Sequence, residues 1–132
     1  MPNEKNRLKL ADKNKLVVEF LCQKMDQFSD WVTCVAFYRA LHLVEALLAR
    51  DKKHGRDHGT RKDILAQTPR YQKIYKHYRR LYAASIIARY LQDGDGVSYE
   101  SFSEFMSLEQ VTQEILGHHL KQIEQSVEKL LR

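Results

Sequence analysis

The sequence predicts an all-α fold, an antiparallel four- to five-helix up-and-down bundle forming one domain over residues 1–132. Two observations lead there. The chain holds only 5 glycines and 2 prolines, too few to punctuate a set of short strands. Apolar residues also recur at helical spacing through four long stretches. With 43% hydrophobic and 30% charged residues, the composition is that of an ordinary globular domain, long enough to bury a core.

The first helix is expected over residues 8–26, with Leu16, Val17, Phe20, Leu21 and Met25 as its apolar face. Ser29 or Asp30 has the chemistry to cap a second helix over residues 31–50. Nearly every position from 31 to 49 suits a core, yet Arg39, His42 and Glu45 interrupt it at spacings of three. Buried polar groups are costly unless paired, so this strip requires partners across the bundle.

A polar connection over residues 51–59 leads to a short turn over 60–66. Thr68-Pro69 then opens a third long helix over 70–92. In that helix Tyr71, Tyr78 and Ser85 repeat every seven residues, as do Tyr75, Tyr82 and Arg89. With Ile74 and Leu81 they form one face, and Lys73, Lys76, His77 and Arg80 form the opposite, basic face. Asp93-Gly94-Asp95-Gly96 reads as a helix-ending loop, because it lacks the spaced acids and terminal glutamate of a calcium loop. A further turn is expected over 99–106. Ser107-Leu108-Glu109-Gln110 has the form of a capping box for a last helix that turns Val111, Ile115, Leu120, Ile123, Val127 and Leu130 to the core.

Residues 1–15 are polar and charged, and no uninterrupted apolar run approaches the roughly 18 residues that span a bilayer. Cys22 and Cys34 sit among apolar neighbours without metal-ligand spacing, as buried free thiols do. A cytoplasmic location without a membrane partner follows as the expectation. The net charge of +5 is unevenly spread. Residues 1–60 carry 11 basic and 8 acidic groups (+3), residues 61–90 carry 8 and 1 (+7), and residues 91–132 carry 3 and 8 (−5). The middle third is a candidate phosphate-binding surface. The acidic last third is equally suited to cover it, within one chain or across a homodimer.

The densest polar segment is His54-Gly55-Arg56-Asp57-His58-Gly59-Thr60-Arg61. His54 and His58 stand four apart, but Gly55 and Gly59 interrupt them and no Cys or Glu completes a ligand set, so neither a metal nor another cofactor is expected. The chemical alternative to solvated loop histidines is a phosphate-directed site. There His42, His54 or His58 would move a proton, and Arg61 or Arg89 would hold the anion in the guanidinium fork. The tyrosine seam reads as core with hydroxyls at the rim, or as a stacking platform for unpaired bases beside cations. The basic face reads as a solvated surface, or as a nucleic-acid contact made by Lys73, Lys76 and Arg80 with Tyr82 and His54. No Walker loop, dinucleotide fingerprint or nucleophile elbow is present.

Trp31, Phe37-Tyr38 with Ala40-Leu41-His42, His58 and Arg61, then Tyr78, Leu81-Tyr82, Ser85 and Ala88-Arg89-Tyr90 follow an ordered aromatic and polar pattern. Over residues 28–92 this pattern resembles the small stand-alone HEPN proteins (higher eukaryote and prokaryote nucleotide-binding domain). The resemblance implies a HEPN-like bundle, often homodimeric, of the kind found in bacterial and archaeal defence and toxin–antitoxin systems. It implies binding of RNA or a nucleotide, and in many members metal-independent endoribonuclease activity. The family's usual motif is an arginine, a polar residue and a histidine after four to six intervening positions. Here Arg70 and His77 have six residues between them, with Tyr71 in the polar position.

Two readings follow. In the first, the protein binds RNA or a nucleotide and has the residues for metal-free cleavage: His58, Arg61, His42 and Arg89, with Arg70 and His77 as the motif-based alternative. In the second, it is a non-catalytic dimerisation module that docks a partner protein, such as a nucleotidyltransferase.

Overall fold

A computed structural model describes residues 3–132 and contains helices and no strands among them. The long elements are α1 (Glu4–Cys22), α2 (Met25–Arg50), α3 (His58–Gln67) and α4 (Gln72–Tyr90). A one-turn α5 (Phe102–Phe105) follows. Then α6 (Leu108–Gln110), a π-helical stretch (Val111–Leu120) and α7 (Lys121–Leu131) run on as one rod. α2 is the central element: it packs against α1, α4 and α7, while α4 also packs against α3 and α7.

The local reasons for these elements are specific. α1 starts earlier than expected because the Asn3 side chain accepts from the Asn6 amide. The capping chemistry at Ser29 and Asp30 marks a break inside a longer helix rather than its start. α2 kinks at Phe28 (φ −126°, ψ 28°), and Asp30 accepts from the Trp31 amide. The short turn expected over 60–66 is a full helix, because Asp57 caps α3 by accepting from the Thr60 amide. Pro69–Tyr71 forms a 3-10 turn into α4, and Leu91 ends α4 with a left-handed φ of 56°. The Ser107–Gln110 capping box forms with both reciprocal bonds in place. The π-helical stretch beyond it is invisible to a search at 3.6-residue periodicity.

The core joins Val32, Phe37, Val44, Leu47 and Leu48 of α2 to Ile74, Tyr78 and Leu81 of α4 and to Ile115, Ile123 and Val127 of the last rod. The expected apolar face of α1 is corrected. Leu16 and Phe20 are 66% and 69% exposed, while Ala11 and Val18 are the buried positions. α1 has only α2 to pack against, and small Ala11 lets the two backbones approach. The seam therefore follows Ala11 and Val18, and the bulkier neighbours turn outward. Trp31 is likewise 58% exposed. His77 leaves the expected basic face and is buried at 5% exposure, whereas Lys73, Lys76 and Arg80 are exposed as read. Over an 18-residue window α2 does reach the hydropathy of a spanning helix, and 72% of that window is buried inside the bundle.

Candidate functional site

The polar strip on α2 finds its partners, but on three different elements. Residues three apart on a helix step around its axis by about 60° each, so Arg39, His42 and Glu45 face successive neighbours. Arg39 Nε donates to Glu124 of α7 at 2.6 Å, and Nη1 donates to the Ala11 carbonyl of α1 at 2.9 Å. His42 Nδ1 lies 3.3 Å from Arg7 Nη1. A guanidinium only donates, so His42 accepts there and carries its proton on Nε2. Glu45 meets Arg61 of α3, with Nε to Oε1 at 2.5 Å.

Arg61 is consumed by this network. Its Nη1 donates to the Tyr78 hydroxyl at 3.3 Å and its Nη2 to the Gly55 carbonyl at 3.3 Å. Gly55 gives this contact room: a Cβ there would come within 3.1 Å of Arg61 Cβ, a tight approach. The side chains of Arg61 and Glu45 are 12% and 6% exposed, so the pair is a buried ion pair and not an anion receptor.

His58 opens α3 and lies flat on Tyr82, with ring centroids 3.4 Å apart and 10° between planes. Its Nδ1 is buried and has no hydrogen-bond partner, the one such side-chain atom among the described residues. Beside this stack a cleft of about 280 Å³ runs between α3 and α4, lined by His58, Lys62, Tyr75, Tyr78, Arg79, Arg80, Tyr82 and Ala83. Three cations, three tyrosines and an imidazole line it, with no carboxylate. Of the residues read from sequence, His58, Arg80 and Tyr82 meet here. Lys62 and Arg79 were not singled out, because α3 was read as a short turn and its contact with α4 is a long-range feature.

The remaining candidates stand elsewhere. Arg89 donates to the Ser85 carbonyl at 3.3 Å and the Tyr38 hydroxyl at 3.5 Å, and lies 5.4 Å from the Tyr90 ring centroid. Arg70 pairs with Asp51 at 3.1 Å, and the Tyr71 hydroxyl bonds the same carboxylate. Arg70 and His77 therefore do not form a joint site. Lys73 borders a separate cavity with Arg70 and residues of α7. His54 borders another with Glu4, Arg7 and Glu45.

A second constellation was not read from the sequence. His77 of α4 meets His118 and His119 of the π-helical stretch, with one ring nitrogen from each lying within 4.8 Å of the other two. His77 Nδ1 and His119 Nδ1 are 3.0 Å apart, and the three ring centroids are separated by 4.9 to 5.3 Å. Burial, reinforced by the two neighbouring imidazoles, pushes His77 down to about 4. The adjacent pair His118-His119 was the available signal, but its partner lies 42 residues from His119.

Comparison with family models, with curated proteins and with solved structures returned no match to this chain.

The electrostatics predict a pH dependence. Burial, then the Arg7 charge, lowers His42 from the ordinary 6.5, and burial with Arg61 and Lys62 lowers His58. Around pH 6.5 the unfolded chain therefore binds protons that the folded chain refuses. Stability present above that pH is lost as pH falls through the folded values. The thermal midpoint should drop between about pH 7 and pH 5, above the carboxylate range, and His42→Gln with His58→Gln should flatten part of that slope. A wild-type midpoint that stays level across this window would contradict the assignment.

Proposed function

We propose that this chain is a HEPN-type helical protein that binds single-stranded RNA or a nucleotide in the cleft between α3 and α4. One observation carries the reading: Lys62, Arg79 and Arg80 line the same cleft as Tyr75, Tyr82 and His58, with no carboxylate among them. Phosphates suit the cations, and a base suits the exposed edge of the aromatic stack. The orphaned Nδ1 of His58 adds a polar atom without a partner in the protein. Cleavage needs an arginine able to meet the phosphate. Arg61 is held by Glu45, so Arg79 and Arg80, which form no ion pair among the described residues, are the guanidinium groups that serve His58 in this reading.

Binding should be electrostatic. Anisotropy titration of a labelled single-stranded RNA is expected to give a log–log salt slope of about −2, from roughly 0.7 per phosphate neutralised by three cations. Lys62→Glu, Arg79→Glu and Arg80→Glu together should abolish binding with helicity unchanged, whereas Lys73→Glu, facing the other cavity, should cost far less. Equal affinity of the triple variant and the wild type would remove RNA from this cleft.

A second reading, the dimerisation module, draws on a different surface. Leu16 and Phe20, one turn apart on α1, are exposed, as is Trp31 near the kink of α2. An isologous contact between two copies would cover them, and the +7 and −5 segments suit such self-association. Light scattering at tens of micromolar should then give a dimer, and Phe20→Asp with Trp31→Asp a folded monomer. A monomeric wild type would rule out a stable homodimer.

A further inference from the structure

We propose that His77, His118 and His119 form a site for one divalent transition-metal ion, zinc above all, with the fourth coordination position open to the adjoining cavity. The ligand chemistry is uniform. Three imidazoles and no thiolate select zinc and its neighbours over calcium or magnesium, which take oxygen ligands. Three protein ligands with an open position are the arrangement of reactive rather than closed zinc centres.

The spacing fits. Tetrahedral zinc with bonds of about 2.0–2.1 Å holds its nitrogens roughly 3.3 Å apart. The His77 and His119 nitrogens are already 3.0 Å apart, and all three ligand atoms lie within 4.8 Å. His77 is buried and sets the site, while exposed His118 is able to swing in by side-chain rotation. The backbone contributes as well. Successive residues of a π-helix diverge less in direction than those of an α-helix, so the stretch Val111–Leu120 turns both His118 and His119 toward the same α4 residue.

The cavity beside the cluster measures about 450 Å³ and is walled by Lys76, Arg80, Phe105, Met106, Glu114 and His119. Its lining is mostly apolar, and Lys76, Arg80 and Glu114 supply the charged groups for a water, hydroxide or phosphate oxygen at the open position. Arg80 also lines the α3–α4 cleft, so the metal would sit on the far side of one shared side chain from the proposed RNA site. The inference does not depend on RNA binding, because its readout is metal content.

The bland alternative is a hydrogen bond between two neutral imidazoles at 3.0 Å, with His118 beside it. Tagless full-length protein, stripped with EDTA and dialysed, separates the two. Titration with zinc chloride should show one ion per chain and a raised thermal midpoint. Cobalt substitution should give the intense visible absorption of a tetrahedral nitrogen site. His118→Ala, at an exposed position, should keep the fold and weaken zinc binding by at least about tenfold, as should His119→Gln, while His54→Ala should bind like the wild type. No zinc uptake by the stripped wild type would overturn the proposal. So would uptake that survives both His118→Ala and His119→Gln undiminished.

Discussion

The Glu45–Arg61 ion pair is the constraint on which the rest of this structure turns. Glu45 lies in α2, the central core helix, flanked by Val44 and Ala46, both fully buried. A carboxylate there is tolerated only with a cation beside it and hydrogen bonds around it. The cation arrives from α3, which packs on α4, and the ion pair ties that helix to α2. The same guanidinium ties down the Gly55 carbonyl of the connecting loop and the hydroxyl of Tyr78. With α3 fixed, His58 at its first turn is laid on Tyr82, and the cleft between α3 and α4 takes its shape. A side chain that looks like a phosphate ligand thus acts as the strut of the site beside it.

The rest of the α2 strip repeats this logic at lower burial. Arg39 links α7, through Glu124, to the backbone of α1 at Ala11. His42 accepts from Arg7 of α1. Each polar residue of the strip contacts one or two neighbouring helices, and apolar packing sets the distance. Such pairs add little net stability over apolar substitutes, but each penalises arrangements in which it is broken.

Much of the architecture was legible in the sequence, because it depends on local rules. The capping box at Ser107, the loop at Asp93–Gly96 and the buried positions Tyr71, Ile74, Tyr78 and Leu81 follow from capping chemistry and helical period, although α4 ends at Tyr90, two residues before the expected 92. The requirement for partners along Arg39, His42 and Glu45 followed from the cost of burying charge. Features that depend on which helices meet were not legible. Leu16 and Phe20 satisfy the pattern of a core face, yet α1 has a single neighbour and buries Ala11 and Val18 instead. Ser29 and Asp30 have capping chemistry, but α2 continues through them behind a kink. For the site, His58, Arg80 and Tyr82 were found together with residues that do other work. Lys62 and Arg79 became visible only once α3 was placed on α4. The histidine cluster needs a π-helical backbone and a contact across 42 residues, neither of which leaves a mark in apolar spacing.

The claim that Arg61 is a structural strut is open to direct measurement by a double-mutant cycle on Glu45 and Arg61, read by urea unfolding. Each single change, Glu45→Leu or Arg61→Met, leaves one buried charge without its partner and should cost about 3 kcal/mol. The double variant should recover much of that loss, with a coupling of roughly 2 kcal/mol. Additive losses, with coupling near zero, would show that the two charges do not depend on each other and would return Arg61 to the list of groups available to hold an anion.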